Sequence, residues 1–482
     1  MTQPTSDEDW VTYLAVRHDQ EMEELERLNG YYEGTQKLSY MHPEVEREIE
    51  DRIRPVVIGW PQLVVDAVEE RLDVEGFRVP TEDADDEDLW RIWQANDMDE
   101  QSQLAHVDAL VMKRSYVTVG TNEKDQTTPI LAAESPLEMY ADVDPRTRTL
   151  RAALRRVAVE DTFAKIGDRS ATLYLPNTTI WYDWANGWKE KERDNHNLGE
   201  LPVAAIVNRA RLSTNRADRR TFQLRQLGSS ELAPVIPISD AANKIATDMM
   251  LAAEFLALPV HGFFGIGPED LEDQQGNKLT AMQALLKRFL TIPTGYDEGA
   301  KEFSFPGVNL GGFHESINQL AQIVASLAGL PPHYLGFTTD NPASADAIRS
   351  AESRLVKRCE RKQRPWGGAY ERMCRIVRRF QTGEWDPRLK QLETIWRDPS
   401  TPTVSQMADA AQKLYVAPPG QKPILTLRRV RERLGETDAS IRRMEAEQAE
   451  EDQRAAALDP ISVVADALTP PQPPEPAGAV GA

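Results

Sequence analysis

Residues 326–367, SLAGLPPHYLGFTTDNPASADAIRSAESRLVKRCERKQRPWG, contain the signals for the end of one helix and the start of another. The Gly-Leu-Pro-Pro sequence starting at Gly329 predicts the end of one helix, because glycine favours a left-handed cap and proline cannot continue a helix. Asn341 followed by Pro342 is typical of the start of another helix, with an N-cap residue and a proline at the first position. The segment between these signals is therefore predicted to be a loop that joins two helices.

The helix after this loop is long and has a proline in its interior. Its apolar residues recur at helical spacing on both sides of Pro365 and continue to Phe380. Because an internal proline removes a backbone hydrogen bond, we expect a kink near Pro365. Residues 346–380 contain eleven Lys or Arg and four Asp or Glu, an excess of 11 − 4 = +7. The simpler interpretation is a face that is solvated or lies between subunits, opposite acidic neighbours; the alternative is a surface near nucleic acid.

Upstream, two helices should enclose a small insert. The first is predicted to open at Pro237, with Ser239 or Asp240 as its N-cap, and to stop at Pro259. Glycines and prolines interrupt residues 260–311, which suggests a compact, irregular α/β segment. The second helix has an apolar stripe at helical spacing, formed by Phe313, Ile317, Leu320, Val324 and Leu327. A single stripe of this kind requires a neighbouring helix to cover it.

The rest of the chain has segments with different predicted secondary structure. About the first thirty residues predict an acidic amphipathic helix. Residues 115–188 alternate as strands do, with Asn186 and Gly187 as a hairpin turn. The aromatic residues Tyr174, Trp181, Tyr182, Trp184 and Trp188 could form a stacking platform, but cross-strand packing explains them more simply. After Pro402 we expect three helices, at 403–415, 425–434 and 437–457, and then a disordered tail with six prolines.

The composition excludes several classes of protein. The chain has 482 residues, with 56 Lys or Arg and 77 Asp or Glu, so its formal charge is 56 − 77 = −21. Proteins that bind DNA tightly by releasing counterions need an excess of Lys and Arg. Because this chain has an excess of acids, any nucleic-acid contact should be local or weak. Cys359 and Cys374 cannot supply a disulfide framework, and the first residues do not resemble a secretory signal, so we expect a reducing, cytosolic context. The longest apolar stretch contains Asp248 and Glu254, which does not favour a membrane span.

The motifs of common enzymes are not found. The sequence has no P-loop, no Gly-x-Ser-x-Gly elbow and no pair of histidines at zinc-binding spacing. Asp142 and Asp144 could hold a divalent ion for a nuclease, although an aspartate before proline is more often part of a turn. We therefore predict no catalytic residue, no metal and no cofactor, and retain a metal-dependent nuclease as an alternative.

Three stretches in this order resemble the portal proteins of tailed bacteriophages, in particular the siphovirus type of the actinobacteriophage group. They are LERLNGYYEGTQKL (25–38), GSSELAPVIPISDAANKIATDMMLAAEFLALPVHGFFG (228–265) and residues 326–367 quoted above. The resemblance covers roughly residues 25–455. It implies a mainly helical α+β fold with wing, stem, clip and crown regions, which assembles as a ring, usually of twelve subunits.

The resemblance also implies a division of the chain. Beyond the N-terminal segment 1–24, it assigns 25–237 to the wing, 238–258 and 312–330 to the two stem helices, 259–311 to the clip, 331–345 to a tunnel loop, 346–402 to the kinked helix and the remainder of the wing, 403–458 to the crown and 459–482 to the tail. The tunnel loop would face DNA through His333, Tyr334, Phe337, Thr338, Thr339 and Asn341. Between Pro331 and Ser344 only Asp340 is fully ionised, so the loop could touch a duplex without fixing its register.

The implied function is a channel at one capsid vertex, through which double-stranded DNA is packaged and ejected. The implied partners are further copies of the chain, the terminase large subunit, a head–tail connector or adaptor protein, the major capsid and scaffold proteins, and DNA bound without sequence preference, with no membrane. The protein would be made in the host bacterial cytoplasm and would reside in the virion. The alternative function is that of another phage head structural or adaptor protein.

Overall fold

The computed structural model describes residues 4–37, 56–80, 86–144, 146–158, 169–184, 187–211, 228–256, 260–264, 289–292, 302–305, 309–336, 345–400, 404–416, 422–436 and 438–458. The helices are α1 (Asp7–Glu33), α2 (Trp60–Glu69), α3 (Glu87–Ala95), α4 (Met98–Val111), α5 (Ile236–Leu256), α6 (Gly311–Ala328), α7 (Ala345–Thr382), α8 (Val404–Tyr415), α9 (Leu427–Arg433) and α10 (Asp438–Leu458), with 3₁₀ turns at Pro332–Leu335 and Pro387–Gln391. The strands are β1 (Val74–Arg78), β2 (Arg114–Gly120), β3 (Ile130–Glu134), β4 (Met139–Val143), β5 (Leu150–Ala158), β6 (Arg169–Tyr174), β7 (Thr179–Trp184), β8 (Trp188–Asp194), β9 (Val203–Val207), β10 (Val260–Phe264), β11 (Phe289–Ile292), β12 (Glu302–Phe305) and β13 (Glu393–Trp396). The mainly helical α+β class predicted from the sequence is confirmed.

Helix α1 begins at a capping box and has about the length predicted from the sequence. The Ser6 hydroxyl accepts a hydrogen bond from the Asp9 N–H, and the Asp9 carboxylate accepts one from the Ser6 N–H, each at 3.2 Å. Gly34, with φ +70°, ends the helix in the left-handed conformation. The helix continues across the expected boundary between residues 24 and 25, so the acidic segment and the start of the proposed wing are one element.

The β-rich part forms two antiparallel sheets. Strands β4 to β8 pair in sequence order, and β2 lies between β3 and β9. The predicted hairpin is confirmed, because Trp184 pairs with Trp188 across β7 and β8 and their rings make an edge contact at 5.0 Å. Tyr182 is buried in the core between this sheet and α1, which supports the packing interpretation of the aromatic group.

The largest core lies around α7. This helix packs against β2, β9 and β13, and β13 pairs antiparallel with β1, so residues near both ends of this part of the chain share one core. Trp366 and Tyr370 of α7 are fully buried there, together with Trp93 of α3. The Trp366 indole N–H donates to the Val207 carbonyl at 3.1 Å, so its single polar atom is satisfied inside the core.

Helices α5 and α6 pack against each other. The chain between them contains a three-stranded sheet, in which β10 lies parallel to β11 and antiparallel to β12. The predicted N-cap of α5 is wrong, because the helix begins at Ile236 and contains both Ser239 and Asp240. The Ser239 N–H already donates to the Val235 carbonyl at 2.9 Å, as in a helical turn. Asp240 instead accepts the Tyr31 hydroxyl of α1 at 2.9 Å.

The apolar stripe predicted on α6 is only partly right. Val324 is buried, but Leu327 is 45% exposed. The buried face also uses the small residues Ala321, Ala325 and Ala328, which allow the neighbouring helix to approach closely.

The chain divides into two compact units, and the second contains the described residues beyond Ser400. The helices expected there are confirmed as α8, α9 and α10. Val430 of α9 and Ile441 of α10 are buried, and Arg428 pairs with Glu445 between these helices at 3.7 Å. Within the described parts of the chain, no helix is long and apolar enough to cross a membrane.

Candidate functional site

The predicted tunnel loop begins where α6 ends. Gly329 adopts φ +66° and its N–H donates to the Ala325 carbonyl, so the helix ends as the sequence predicts. A Cβ at Gly329 would lie 3.0 Å from Nε of Arg354, which crosses over this turn from α7. Nη1 of Arg354 donates to the Ser326 carbonyl at 2.9 Å, where a cation also complements the negative end of the helix dipole. The exit of α6 is therefore held against α7.

Arg71, just beyond α2, joins the start of the loop to two other segments. Its Nη2 donates to the Tyr334 hydroxyl at 2.9 Å and pairs with Oε1 of Glu352 in α7 at 3.2 Å. Its Nη1 donates to the Pro399 carbonyl at 2.8 Å. Burial alone would lower the pKa of Arg71, but the bond to Tyr334 and the charge of Glu352 outweigh it and raise the pKa, so the guanidinium stays charged. We call Arg71, Tyr334 and Glu352 the loop anchor.

The loop anchor gives the predicted loop residues different roles. Tyr334 is half-buried against the core and directs its hydroxyl to Arg71, whereas the neighbouring His333 is exposed, with the two ring centroids 5.0 Å apart. Phe337, Thr338, Thr339 and Asn341 lie outside the described residues. Sequence reasoning missed Arg71, which lies 263 residues from Tyr334 and has no local signal that connects it to the loop.

Pro365 lies inside α7, which is a single continuous helix from Ala345 to Thr382. It is about 30 Å along the helix from Ala345 at 1.5 Å per residue, so the structure does not bring it together with the loop. Because proline has no N–H, the carbonyl of Arg361 lacks its helical donor at this point. The kink at Pro365 stays a prediction.

Some of the positive charges of α7 are matched by acids of the same chain. Arg378 pairs with Asp86 at 2.9 Å and with Asp88 at 2.7 Å, while Arg372 lies 3.6 Å from Glu200. These two arginines are therefore paired inside the chain, and both interpretations of the remaining basic face, solvated or between subunits and near nucleic acid, stay predictions.

Glu231 is the most buried acid in contact with α7, and sequence reasoning also missed it. Its side chain is 1% exposed and contacts Arg358, Lys362 at 3.2 Å and Arg209 at 3.5 Å. Burial would raise the pKa of Glu231, but the three cations outweigh this effect and lower it to about 2. The only sequence signal for this buried ion-pair cluster was a glutamate in the otherwise weakly polar stretch that follows Gly228.

The two aspartates considered for metal binding make structural contacts within the chain. Asp142 is buried, forms an ion pair with Arg151 and accepts the Tyr13 hydroxyl at 3.4 Å. Asp144 accepts the backbone N–H of Arg146 at 2.7 Å in the turn after β4. Across the described residues, no group of three or more potential metal ligands is found. The arrangement at Asp142 and Asp144 is that of an ion pair and a turn.

Comparison with known proteins places this chain in a family. A family model described as "Phage portal protein, SPP1 Gp6-like" matches residues 12–454. The portal protein of Mycobacterium phage D29 is 35% identical over 97% of this chain and 95% of its own length. That of Mycobacterium phage L5 is 39% identical over 80% of this chain and 77% of its own length. A solved chain from the neck of a native GTA particle, computed with C12 symmetry, aligns with 86% of this chain and 93% of its own length at 14% identity and a TM-score of 0.40. The chain therefore belongs to the SPP1 Gp6-like family of phage portal proteins.

Proposed function

We propose that copies of this chain close into a ring, of about twelve subunits, that forms the DNA channel at one vertex of a phage capsid. Family membership over residues 12–454 is the observation that carries this proposal. On this basis the protein has no catalytic activity of its own, is made in the host cytoplasm and ends in the virion. The ion pair of Asp142 with Arg151 counts against the alternative of a metal-dependent nuclease.

The channel function assigns roles to the elements described above. Helices α5 and α6 would be the stem, and the segment 259–311 with its three-stranded sheet would be the clip, which docks the terminase large subunit and later the connector protein. Helices α8 to α10 would be the crown, and the β-rich part the wing. The major capsid and scaffold proteins would contact the ring from outside.

The loop 331–345 would contact DNA as it passes. Its position between α6 and α7 supports this role, because Arg354 and the loop anchor fix where the chain leaves the folded body and where it returns. A chain of net charge −21 repels phosphates, so contacts made by uncharged loop residues and the exposed His333 would permit sliding.

Electron microscopy of the purified full chain, together with its native mass, tests ring formation. Rings with a central hole and a mass many times 54.2 kDa are expected. A chain that stays monomeric with capsid and scaffold proteins present would contradict the proposal.

Two deletions test the loop. Removing 337–340 leaves Tyr334 and the loop anchor in place, so rings should form while DNA packaging stops. Removing 333–340 also deletes Tyr334, and should lower stability as well. Normal packaging by the shorter deletion would contradict the assignment of the loop, and so would failure of that variant to assemble.

A further inference from the structure

A cavity of about 620 Å³ opens beside Glu231, between α7 and the segment that follows β9. Its charged wall consists of Arg209, Arg211, Arg358, Arg361, Lys362 and Glu231. We call it the basic pocket. It carries five cations and one carboxylate, a balance of 5 − 1 = +4, within a chain of net charge −21. Nothing in the channel function explains this local excess.

The single carboxylate cannot neutralise the pocket. Glu231 already contacts Arg209, Arg358 and Lys362. Among the described residues, no carboxylate lies within ion-pair distance of Arg211 or Arg361, and both side chains are exposed. The pocket therefore presents cations that have no anionic partner in the described part of the chain.

One buried guanidinium nitrogen points to a missing partner. Nη1 of Arg358 is shielded from solvent and has no hydrogen-bond acceptor among the described residues. A buried donor without an acceptor destabilises the folded state, and more so when it is charged. Burial and the nearby Arg358 and Arg209 also hold the pKa of Lys362 below its usual range, as expected where positive charge is in excess. An anionic oxygen in the pocket would relieve both effects.

The shape of the pocket favours carboxylates over the phosphates of a duplex. Guanidinium groups bind carboxylates through two parallel hydrogen bonds, and an acidic side chain is flexible enough to enter a concave site. The phosphates of double-stranded DNA lie on a stiff convex surface, which fits a concave site less well.

We infer that the basic pocket receives acidic side chains of a second copy of this chain, as one half of the contact between neighbouring subunits. This inference rests on the proposed ring. A closed ring joins two different surfaces of the same protein at every contact, so a basic patch on one surface can meet an acidic patch on another. Copies that each carry −21 repel one another in general, which makes such a local match necessary for the correct register.

Charge reversal tests the pocket in the full chain. The double variant Arg211→Glu/Arg361→Glu should raise the protein concentration needed for half-assembly by roughly tenfold or more, because like charges would then meet. Arg364→Glu is the matched control, since Arg364 is an exposed residue of the same helix that does not line the pocket. The control should assemble within about twofold of wild type.

The outcomes separate this inference from the proposed function. Wild-type chain that forms no rings would contradict the ring itself. Wild-type rings with unchanged assembly of the double variant, or with equal loss in the Arg364→Glu control, would overturn the inference alone. The same holds if the double variant assembles normally but loses retention of a short DNA duplex, because the ligand would then be phosphate.

Zero-length crosslinking identifies the acidic partner. Arg361→Lys keeps the charge and supplies an amine that a carbodiimide can join to a carboxylate in contact with it. Unlabelled and ¹⁵N-labelled chains of this variant are mixed before assembly, and crosslinked peptides are identified by mass. Peptides that join position 361 to an Asp or Glu of the differently labelled chain are expected. Crosslinks found only within one label would overturn the inference.

Discussion

The Arg71 guanidinium donates a hydrogen bond of 2.9 Å to the Tyr334 hydroxyl and pairs with Glu352 at 3.2 Å. These contacts link the end of α2, the start of the tunnel loop and the first turns of α7. The guanidinium and carboxylate side chains are only 8% and 10% exposed, so little solvent screens their interaction. The loop therefore starts from a fixed point of the fold.

Arg71→Met should lower the free energy of unfolding by about 3 kcal/mol, because it removes the charged partner of a buried carboxylate and two further hydrogen bonds. Tyr334→Phe should cost about 1 kcal/mol, the value of one hydrogen bond. Denaturant midpoints measure both. Arg364→Met, at an exposed site of α7, is the control and should change stability by less than about 0.5 kcal/mol. If Arg71→Met costs no more than this control, the loop anchor does not stabilise the fold.

Gly228→Ala should be among the most destabilising single substitutions. Gly228 has φ +94°, and a Cβ there would lie 2.4 Å from the Asn208 carbonyl oxygen and 2.6 Å from that of Lys113. Because both atoms belong to the backbone, we expect a loss above about 3 kcal/mol, seen as a large fall in melting temperature or as insoluble protein. Gly368→Ala, in a helix with open space around it, should instead stabilise by about 0.5 to 1 kcal/mol. Equal effects of the two variants would contradict this account.

Glu231→Gln should reduce stability at neutral pH by about 3 kcal/mol, because the three cations around residue 231 lose their buried counter-charge. The pKa of Glu231 is lowered from 4.5 to about 2 in the folded protein. Its stabilising effect is therefore complete above pH 4.5 and is lost as the pH falls from 4.5 towards 2. Urea midpoints at pH 7, 4 and 3 should show the wild-type and variant curves converging. Parallel curves would show that this carboxylate does not titrate as described.

Glu69→Gln should act in the opposite sense. Burial, together with Asp73, Asp66 and Glu70, raises the pKa of Glu69 to about 7. Its charged form is therefore unfavourable in the folded state, and wild-type stability falls as the pH rises from 4.5 through 7. The variant should be more stable by about 1 kcal/mol at pH 8, after allowance for solvent screening, and equal to wild type near pH 4.5. The exposed Glu23→Gln is the control, and a fall in stability of the Glu69 variant at pH 8 would contradict the prediction.

Pro365→Ala should restore a backbone donor to the Arg361 carbonyl and raise the stability of α7 by up to about 3 kcal/mol. If α7 is kinked at this residue, the variant would also straighten it and shift the loop. Melting temperature and DNA packaging measure the two effects separately. Unchanged packaging in a stabilised variant would remove the kink from the mechanism.

Features that depend on neighbouring residues could be predicted from the sequence. Gly329 ends α6 because one residue must adopt a left-handed conformation, and Trp184 pairs with Trp188 in the predicted hairpin of β7 and β8. The predicted N-cap of α5 lies four or five residues beyond the residue that precedes the helix, because Ser239 and Asp240 resemble an N-cap although both lie inside it. The resemblance to portal proteins relied on such local stretches.

Contacts between distant residues could not be predicted. Glu231 meets Arg358 across 127 residues, and Arg71 meets Tyr334 across 263. Each charged group or hydroxyl taken alone is typical of a solvated surface, and only the tertiary packing brings the partners together. The exposure of Leu327 has the same origin, since helical spacing gives the width of an apolar face but not which part of it a neighbour covers.

Helix α7 has 38 residues and is therefore about 57 Å long. Arg354 near its first turns contacts the end of α6, Lys362 at its middle contacts Glu231, and Arg378 near its last turns contacts Asp86. Helix α7 is thus attached to the rest of the fold at three places along its axis, and a force applied at its first turn would be transmitted to all three. Under the proposed channel function, drag exerted on the loop by a moving DNA molecule would be shared among these three contacts, and no single one would bear the whole force.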